Sequence, residues 1–304
     1  MKAIEVHNLT KAFDSFLAVN QITLDVKTAE VFGLLGPNGA GKTTTIRMLC
    51  GLLRPTSGSG YVAGCNIIKD YEKIKRLIGY MSQKFSLYKD LTVEENIDFF
   101  CGIYRLKNSQ KSKQKKWALE ISGLSEIRSQ IVGELPGGYK QRLALVCALL
   151  HSPEIVFLDE PTAGVDPVSR KQFWDIIYEL KDSLKTTALV TTHYMDEAEH
   201  CERIALMQNG KLSALGAPDE LKKMIKSRVY LIKALPYFQT REILQREPGL
   251  INIVPFGNSF HIFINDQAEI EKINNDLRDK HIEVLRLEPI APSLEDVFLS
   301  VVEK

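Results

Sequence analysis

A glycine-rich stretch that ends in a lysine and two threonines lies between an apolar run, residues 30–35, and a helix-like run, residues 44–53. Its residues are Gly36, Pro37, Asn38, Gly39, Ala40, Gly41, Lys42, Thr43 and Thr44. Glycines at the spacing Gly-x-x-x-x-Gly-Lys-Thr let backbone N–H groups approach phosphate oxygens closely, where a side chain would collide. Lys42 can reach the β- and γ-phosphates, and the Thr43 hydroxyl can ligate Mg²⁺. The stretch therefore predicts a binding site for ATP or GTP.

Two adjacent carboxylates, Asp159 and Glu160, end another apolar run, residues 154–158. Pro153 would stop a preceding helix, so we interpret this run as a buried strand. The carboxyl end of such a strand is where ligands bind in a doubly wound sheet. We expect Asp159 to hold Mg²⁺, directly or through water, and Glu160 to polarise a water molecule toward the γ-phosphate. An isolated Asp-Glu pair would simply end a strand at solvent, but the phosphate-binding loop favours the catalytic interpretation.

A largely parallel sheet is needed to position these groups. The apolar runs Val31–Leu35, 154–158 and 187–191 predict buried strands, and helix-like segments separate them. This alternation indicates an α/β fold. The helix that begins near Gly41 would direct the positive end of its dipole toward the phosphates.

Helical patterning dominates residues 91–150, which we interpret as an inserted helical subdomain. It starts with the capping box of Thr92 and Glu95. The basic stretch 107–116 lacks interleaved aromatic residues, so we interpret it as a solvated linker between helices without a binding function.

The character of the chain changes after about residue 225, which predicts domains at 1–225 and 226–304. The second domain reads as strand 228–234, helix 240–246, strands 250–256 and 259–265, a helix around Ile270, strand 281–287 and a final helix capped by Ser293. Two consecutive β-α-β halves predict a small α/β domain with a ferredoxin-like arrangement.

Bulk composition limits the functional classes. The 304 residues include 39 basic and 38 acidic side chains, so a net charge of +1 provides no general attraction to nucleic acid or anionic membranes. Five scattered cysteines without a Cys-x-x-Cys pair indicate free thiols in a reducing cytosol. No apolar run approaches the roughly 20 residues that span a bilayer, so we expect any membrane role to depend on a partner.

A third motif resembles the signature of one family, the ATP-binding-cassette (ABC) ATPases. Its residues are Leu135, Pro136, Gly137, Gly138, Tyr139, Lys140, Gln141 and Arg142. The resemblance implies a P-loop ATPase domain in which this motif caps the γ-phosphate bound by the opposite protomer, so that two chains sandwich ATP. Pro136 departs from the pattern, because the family usually has a serine there whose hydroxyl contacts the phosphate. We therefore expect a weakened contact through the remaining backbone N–H groups.

The resemblance implies roles for further residues. Phe13 is similar to the aromatic residue that stacks on adenine, and Phe16 is a plausible substitute. Gln83 matches the loop glutamine that touches Mg²⁺, and Asp166 lies in the loop that crosses to the partner protomer. His193 resembles the switch histidine that contacts the γ-phosphate.

Residues 289–299 are similar to the ending of cassette subunits from drug- and sodium-exporter types of bacterial ABC transporter. This implies a homodimer docked on an integral membrane transporter subunit at the cytoplasmic face of the membrane, driving export without nucleic acid. The tail could equally be a stabilising or dimerising appendage. Two further alternatives remain: a nucleotide-gated ABC protein acting on nucleic acid or the ribosome, and a weakly hydrolysing regulatory cassette.

Overall fold

The structure, a computed structural model, describes residues 1–83, 87–265 and 267–302. The chain divides into an N-terminal unit, Met1–Leu215, and a C-terminal unit that begins at Gly216. This boundary precedes the one expected at residue 225, because the short helix Pro218–Lys222 packs with the last helix of the chain.

The strands of the N-terminal unit form two sheets. They are β1 (Lys2–Phe13), β2 (Phe16–Lys27), β3 (Val31–Leu35), β4 (Ser57–Val62), β5 (Cys65–Asn66), β6 (Ile78–Met81), β7 (Ile155–Asp159), β8 (Thr187–Thr192), β9 (Arg203–Gln208) and β10 (Lys211–Gly216). One sheet has the order β2-β1-β4-β5 and is antiparallel. The other has the order β10-β9-β3-β8-β7-β6, and its pairs from β9 to β6 are parallel. The predicted buried strands β3, β7 and β8 are confirmed.

Helices pack against these sheets and against one another. They are α1 (Lys42–Leu49), α2 (Tyr71–Leu77), α3 (Val93–Ile103), α4 (Asn108–Ile121), α5 (Gly137–Leu149), α6 (Pro167–Leu184) and α7 (Met195–Ala198). Ile46 and Met48 of α1 are fully buried in a core that also contains Val6 of the antiparallel sheet and Phe157 of the parallel sheet. This core fixes α1, and with it the glycine-rich loop, against both sheets.

A separate apolar core joins α3, α4 and α5. Val93 and Ile97 pack there with Ala118 and Val146. Thr92 caps α3 as predicted, since its hydroxyl accepts from the Glu95 N–H and its own N–H donates to the Glu95 carboxylate. The helical patterning of this region is confirmed, but the linker expected at 107–116 is wrong. Residues 108–116 belong to α4, and Lys107 is its N-cap residue.

The C-terminal unit is an antiparallel sheet with helices. Its elements are α8 (Pro218–Lys222), β11 (Arg228–Leu235), α9 (Tyr237–Gln245), β12 (Asn252–Phe256), β13 (Ser259–Ile264), α10 (Gln267–Asp279), β14 (Glu283–Ile290) and α11 (Leu294–Val302). The strand order β12-β13-β11-β14 with antiparallel neighbours is ferredoxin-like, as predicted. Ile232, Phe260 and Ile273 are among the residues of its main core.

Candidate functional site

The glycine-rich loop connects β3 to α1. All of β3 is buried, and the Gly36 N–H donates to the Thr192 carbonyl at 3.2 Å, so the loop starts at a fixed point on the sheet. α1 begins at Lys42, directly after Gly41. The first N–H groups of a helix lack carbonyl partners within it and lie at the positive end of its dipole. The loop and helix therefore form a local site suited to an anion.

Packing of the protein itself requires two of the loop glycines. A Cβ atom on Gly36 would lie 2.1 Å from the Met207 carbonyl oxygen. One on Gly41 would lie 2.4 Å from the Ala18 carbonyl oxygen, and Gly41 also has a φ of 106°, which favours glycine. The sequence interpretation attributed these glycines to the approach of phosphate. The structure adds that no other residue would leave room for the neighbouring backbone.

Glu160 is the centre of the site. One carboxylate oxygen lies 3.1 Å from the Lys42 ammonium. The other accepts from the Gln83 amide at 3.0 Å and lies 3.2 Å from His193 Nδ1. The Lys42 and Glu160 side chains are only 4% and 7% exposed, so this ion pair is largely removed from water. The three residues assigned to catalysis, Lys42, Glu160 and His193, thus meet at one carboxylate.

The backbone conformation of Glu160 directs its side chain away from β7. Its φ is 49°, a left-handed conformation that costs a non-glycine residue about 1 kcal/mol or more. The Glu160 N–H donates to both the carbonyl and the hydroxyl of Thr191, at 3.1 and 3.0 Å, which holds the turn in place. β7 therefore ends with Asp159 in the sheet and Glu160 directed toward Lys42.

Asp159 lies between two hydroxyl groups. Its Oδ1 accepts from Thr43 at 3.0 Å and from Thr191 at 2.7 Å. Burial raises the pKa of the Asp159 carboxyl, and the hydrogen bonds from Thr191 and Thr43 act in the opposite direction. Its buried Oδ2 has no hydrogen-bond partner among the described residues. A buried carboxylate oxygen without a partner is suited to a cation.

The donor set fits Mg²⁺ better than a metal bound mainly by protein. Within 1–83, 87–265 and 267–302, no group of three or more His, Cys, Asp or Glu side chains could hold a metal ion. Mg²⁺ commonly binds through one or two carboxylates together with substrate phosphates and water. Thr43 and Asp159, which were predicted as ligands, are in contact. Gln83, the third predicted ligand, directs its amide to Glu160.

A cavity of about 320 Å³ opens over the loop, a size suited to a small-molecule site. It is lined by Phe16, Ala18, Asn38, Gly39, Ala40, Gly41, Lys42, Thr43, Thr44, Gln83 and Glu160. Of the two aromatic residues considered for adenine, Phe16 is on this lining and 62% exposed. Phe13 is also partly exposed, but its ring lies beneath the Lys11 ammonium at 4.9 Å.

The predicted signature motif forms the start of α5. Pro136 is its N-cap residue and Gly137 its first residue, and both are exposed. Gly138 is buried, and a Cβ atom there would lie 2.3 Å from Ser169 Oγ. In the part of the chain that the structure describes, a Cβ atom on Gly137 would meet no atom within 4 Å. Gly138 is therefore required by contact with α6, while Gly137 is open to an approaching molecule.

Leu135 and Gln141 of the motif make contacts within the same chain. Leu135 is buried in the helical core. The buried Gln141 amide donates to the Ala163 carbonyl at 3.3 Å, which connects α5 to the loop after Glu160. Asp166 caps α6, since its carboxylate accepts from the N–H groups of Val168 and Ser169. These hydrogen bonds lower the pKa of Asp166.

Thr191 is a site residue that the sequence motifs did not indicate. This residue orients both Asp159 and the Glu160 backbone through its hydroxyl and carbonyl. A signal was present, because a hydroxyl in a fully buried strand two residues before His193 needs a polar partner. Only the pairing of β8 with β7 identifies that partner.

Comparison with known proteins assigns both units. Residues 19–163 match the family described as ABC transporter, and residues 216–302 match the family described as ATP-binding protein DrrA1-3-like, C-terminal domain. The probable multidrug ABC transporter ATP-binding protein YbhF of Escherichia coli (strain K12) is 51% identical over 219 residues. That match covers 72% of this chain and 38% of YbhF, so the chain corresponds to well under half of that relative.

Other relatives match over most of their length. The daunorubicin/doxorubicin resistance ATP-binding protein DrrA of Streptomyces peucetius is 34% identical, covering 99% of this chain and 92% of DrrA. Among solved structures, the dimeric ATP-binding cassette MJ0796 in a post-hydrolysis state with ADP and Pi aligns with a TM-score of 0.64 at 26% identity. It covers 70% of this chain and 98% of that one. In the part of the chain that the structure describes, no helix combines the length and apolar character needed to span a bilayer.

Proposed function

Because the chain belongs to the ATP-binding subunits of the ABC transporter family, we propose that two copies of it hydrolyse ATP to power a drug-type exporter. The cassette of this family binds and hydrolyses ATP. The observation that carries the proposal for this chain is the set of contacts to the Glu160 carboxylate. Lys42, Gln83 and His193 come from separate segments, and all three reach that one group.

In this proposal each residue acts on a separate part of the reaction. Lys42 exchanges its ion pair with Glu160 for the β- and γ-phosphates and neutralises charge that develops there. The released Glu160 carboxylate orients a water molecule and accepts its proton. His193 donates to the γ-phosphate. Phe16, on the cavity lining, is the better placed of the two aromatic residues to stack on adenine.

Mg²⁺ would be held by the Thr43 hydroxyl and the Asp159 carboxylate, the latter directly or through water, with Gln83 contributing when its amide leaves Glu160. When bound, the ion supplies positive charge that stabilises the phosphate oxygens. The buried Oδ2 of Asp159, which has no hydrogen-bond partner within the described part of the chain, supports this assignment. Thr191 positions the carboxylate for it through the hydrogen bond at 2.7 Å.

The dimer is tested by Gly137→Ala. An alanine fits the isolated chain, because its Cβ atom would meet no atom of the described residues within 4 Å. If the start of α5 covers the nucleotide of the partner protomer, that methyl group intrudes on the phosphate. We expect ATP turnover to fall about tenfold or more, a loss of transition-state stabilisation of about 1.4 kcal/mol. ATP binding to the single protomer should be unchanged when measured by fluorescence titration.

Gly102→Ala is the matched control. Gly102 lies in α3 and is exposed, and none of the residues that the structure describes would lie within 4 Å of an added Cβ atom there. It should retain wild-type turnover. Equal turnover in the Gly137→Ala and Gly102→Ala variants would contradict the sandwich dimer.

Pro136→Ser separates full hydrolysis from the weakly hydrolysing alternative. Serine is a favoured N-cap residue, and the exposed Pro136 position can accept it. If this residue approaches the γ-phosphate, its hydroxyl adds a charge-assisted hydrogen bond, which is worth about 1.5 kcal/mol or more. We expect a severalfold to roughly tenfold rise in turnover in a steady-state phosphate-release assay. Unchanged turnover would show that residue 136 does not contact the nucleotide.

The membrane partner completes the proposed function. We infer that the subunit sits peripherally at the cytoplasmic face of the membrane and docks on a separate integral membrane transporter subunit. The drug-resistance and multidrug relatives support export of a drug-like molecule. Co-purification from solubilised membranes, followed by ATPase measurement of the chain alone and with the captured subunit, tests this inference. A nucleic-acid complex with steep salt dependence, recovered in place of a membrane protein, would overturn it.

A further inference from the structure

The buried carboxylate of Glu197 lies outside the proposed catalytic set but is hydrogen-bonded to residues close to two of its members. Glu197 of α7 is 1% exposed. Its Oε2 accepts from the Thr192 hydroxyl at 2.6 Å, and its Oε1 accepts from the Thr162 hydroxyl. Arg170 Nε lies 3.4 Å from Oε1 and supplies the opposite charge. A fully buried carboxylate needs several such partners to offset its desolvation.

The two threonines lie next to the proposed catalytic residues. Thr192 directly precedes His193, and its hydroxyl also accepts from the Tyr194 N–H at 3.0 Å. Thr162 is two residues after Glu160, and its carbonyl accepts from Val165 N–H at 3.2 Å. The hydrogen bonds of the Glu197 carboxylate therefore connect the turn that carries His193 to the turn that follows Glu160.

These contacts extend to α5, the helix that begins with the signature motif. Ala163, next to Thr162, accepts from Gln141 at 3.3 Å, and its N–H donates to the Glu160 carbonyl at 3.3 Å. Displacement of Thr162 would therefore disturb both the Glu160 backbone and the contact to α5. Among the described residues, Glu197 itself makes no hydrogen bond to the phosphate-binding loop. That loop is held by Lys42, which donates to the Gly36 and Pro37 carbonyls, and by the Gly36 N–H, which donates to the backbone carbonyl of Thr192.

We propose that Glu197 is a positioning residue for ATP hydrolysis. Through Thr192 and Thr162, it holds His193 and Glu160 in fixed positions relative to each other. This inference rests on the proposed ATPase function and deepens it. Glu197 touches no reacting atom and acts through its two threonine partners. Because displacements of about 1 Å at a reacting group can cost roughly 100-fold in rate, loosening this tie should affect the chemical step more than ATP binding.

The test compares Glu197→Gln, Glu197→Asp and the control Asp196→Asn. Glutamine keeps the shape but only one acceptor oxygen and no charge, whereas aspartate keeps the carboxylate on a shorter stem. Asp196 is an exposed neighbour that pairs with Arg170 at 2.6 Å, and among the described side chains it has no hydrogen bond to either threonine. For Glu197→Gln we expect kcat to fall about 10- to 100-fold at 25 °C with KM for ATP within about twofold of wild type. Glu197→Asp should recover part of kcat, and Asp196→Asn should match the wild type.

A double-mutant cycle keeps the proposal falsifiable if Glu197→Gln folds poorly. Thr162→Val and Thr192→Val each remove one bond to the carboxylate, and if Glu197 couples the two turns their effects on kcat should be clearly non-additive. Wild-type kcat in a folded Glu197→Gln variant, or additive effects of the two threonine variants, would overturn the positioning role while the ATPase function stands. An inactive wild-type chain in the same assay would instead count against the proposed function itself.

Discussion

Replacing Glu160 with glutamine is expected to lower the ATP turnover of the chain by about 10²- to 10⁴-fold, the usual contribution of a general base. Glutamine retains the shape of the side chain but cannot accept a proton from water. The change also removes the negative partner 3.1 Å from the Lys42 ammonium. Lys42 then no longer has to exchange that partner for phosphate, so ATP affinity should be retained or increased. The variant should accumulate as an ATP-bound dimer, measured by size-exclusion chromatography with light scattering.

Glu154→Gln is the control for this experiment. Glu154 is exposed and lies just before β7, at the opposite end of the strand from Glu160. The same chemical change there should leave turnover and oligomeric state as in the wild type. Wild-type turnover in the Glu160→Gln variant would reject the proposed role of Glu160, and a variant that stays monomeric in Mg-ATP would reject the sandwich dimer.

Replacing Lys42 with alanine should abolish most ATP binding. The ammonium donates to the Gly36 and Pro37 carbonyls at 2.7 and 3.0 Å, which holds it at the mouth of the loop. Losing two charge-assisted contacts to phosphate, at about 1.5–3 kcal/mol each, predicts an affinity loss of about 100-fold or more. Isothermal titration calorimetry with a slowly hydrolysed ATP analogue measures it. The free energy of unfolding should also fall, because the buried Glu160 carboxylate loses its partner.

Lys75→Ala separates a specific effect from general loss of charge. Lys75 is an exposed lysine of α2 that pairs with Glu72 at 2.8 Å. Surface pairs of this kind contribute little to stability, so both affinity and stability should stay near the wild-type values. Similar ATP affinities of the Lys42→Ala and Lys75→Ala variants would contradict the predicted phosphate contact.

The elements of the fold were largely readable from local patterns. Short runs of β-forming residues bounded by turn residues correctly indicated β3, β7 and β8, because strands buried on both faces are rich in apolar and β-branched residues. The order of strands and helices after residue 225 likewise indicated the ferredoxin-like unit. These signals depend on the identity of neighbouring residues, which the sequence states directly.

The stretch 107–116 shows where local patterns fail. It has a weak apolar pattern and many lysines, which suggested a linker. In the structure, residues 108–116 form most of α4, and Lys115 is paired with both Glu94 and Asp98 of α3. Lys111 lies 3.3 Å from the same Asp98. The helix is thus supported by charges on a neighbouring helix, and that neighbour is visible only once α3 and α4 are packed.

The sequence by itself determined which residues have suitable chemistry and which of them lie at the carboxyl ends of strands. The spacing of residue types along the chain was sufficient for these assignments, because a phosphate-binding loop, a strand end and a helix cap are local features. Tertiary structure decided which atoms meet. The strand order β3-β8-β7 sets Thr191 beside Asp159 and brings Lys42 and His193 to Glu160. Strand order arises from packing between segments that are distant in the sequence, and no short-range pattern encodes it.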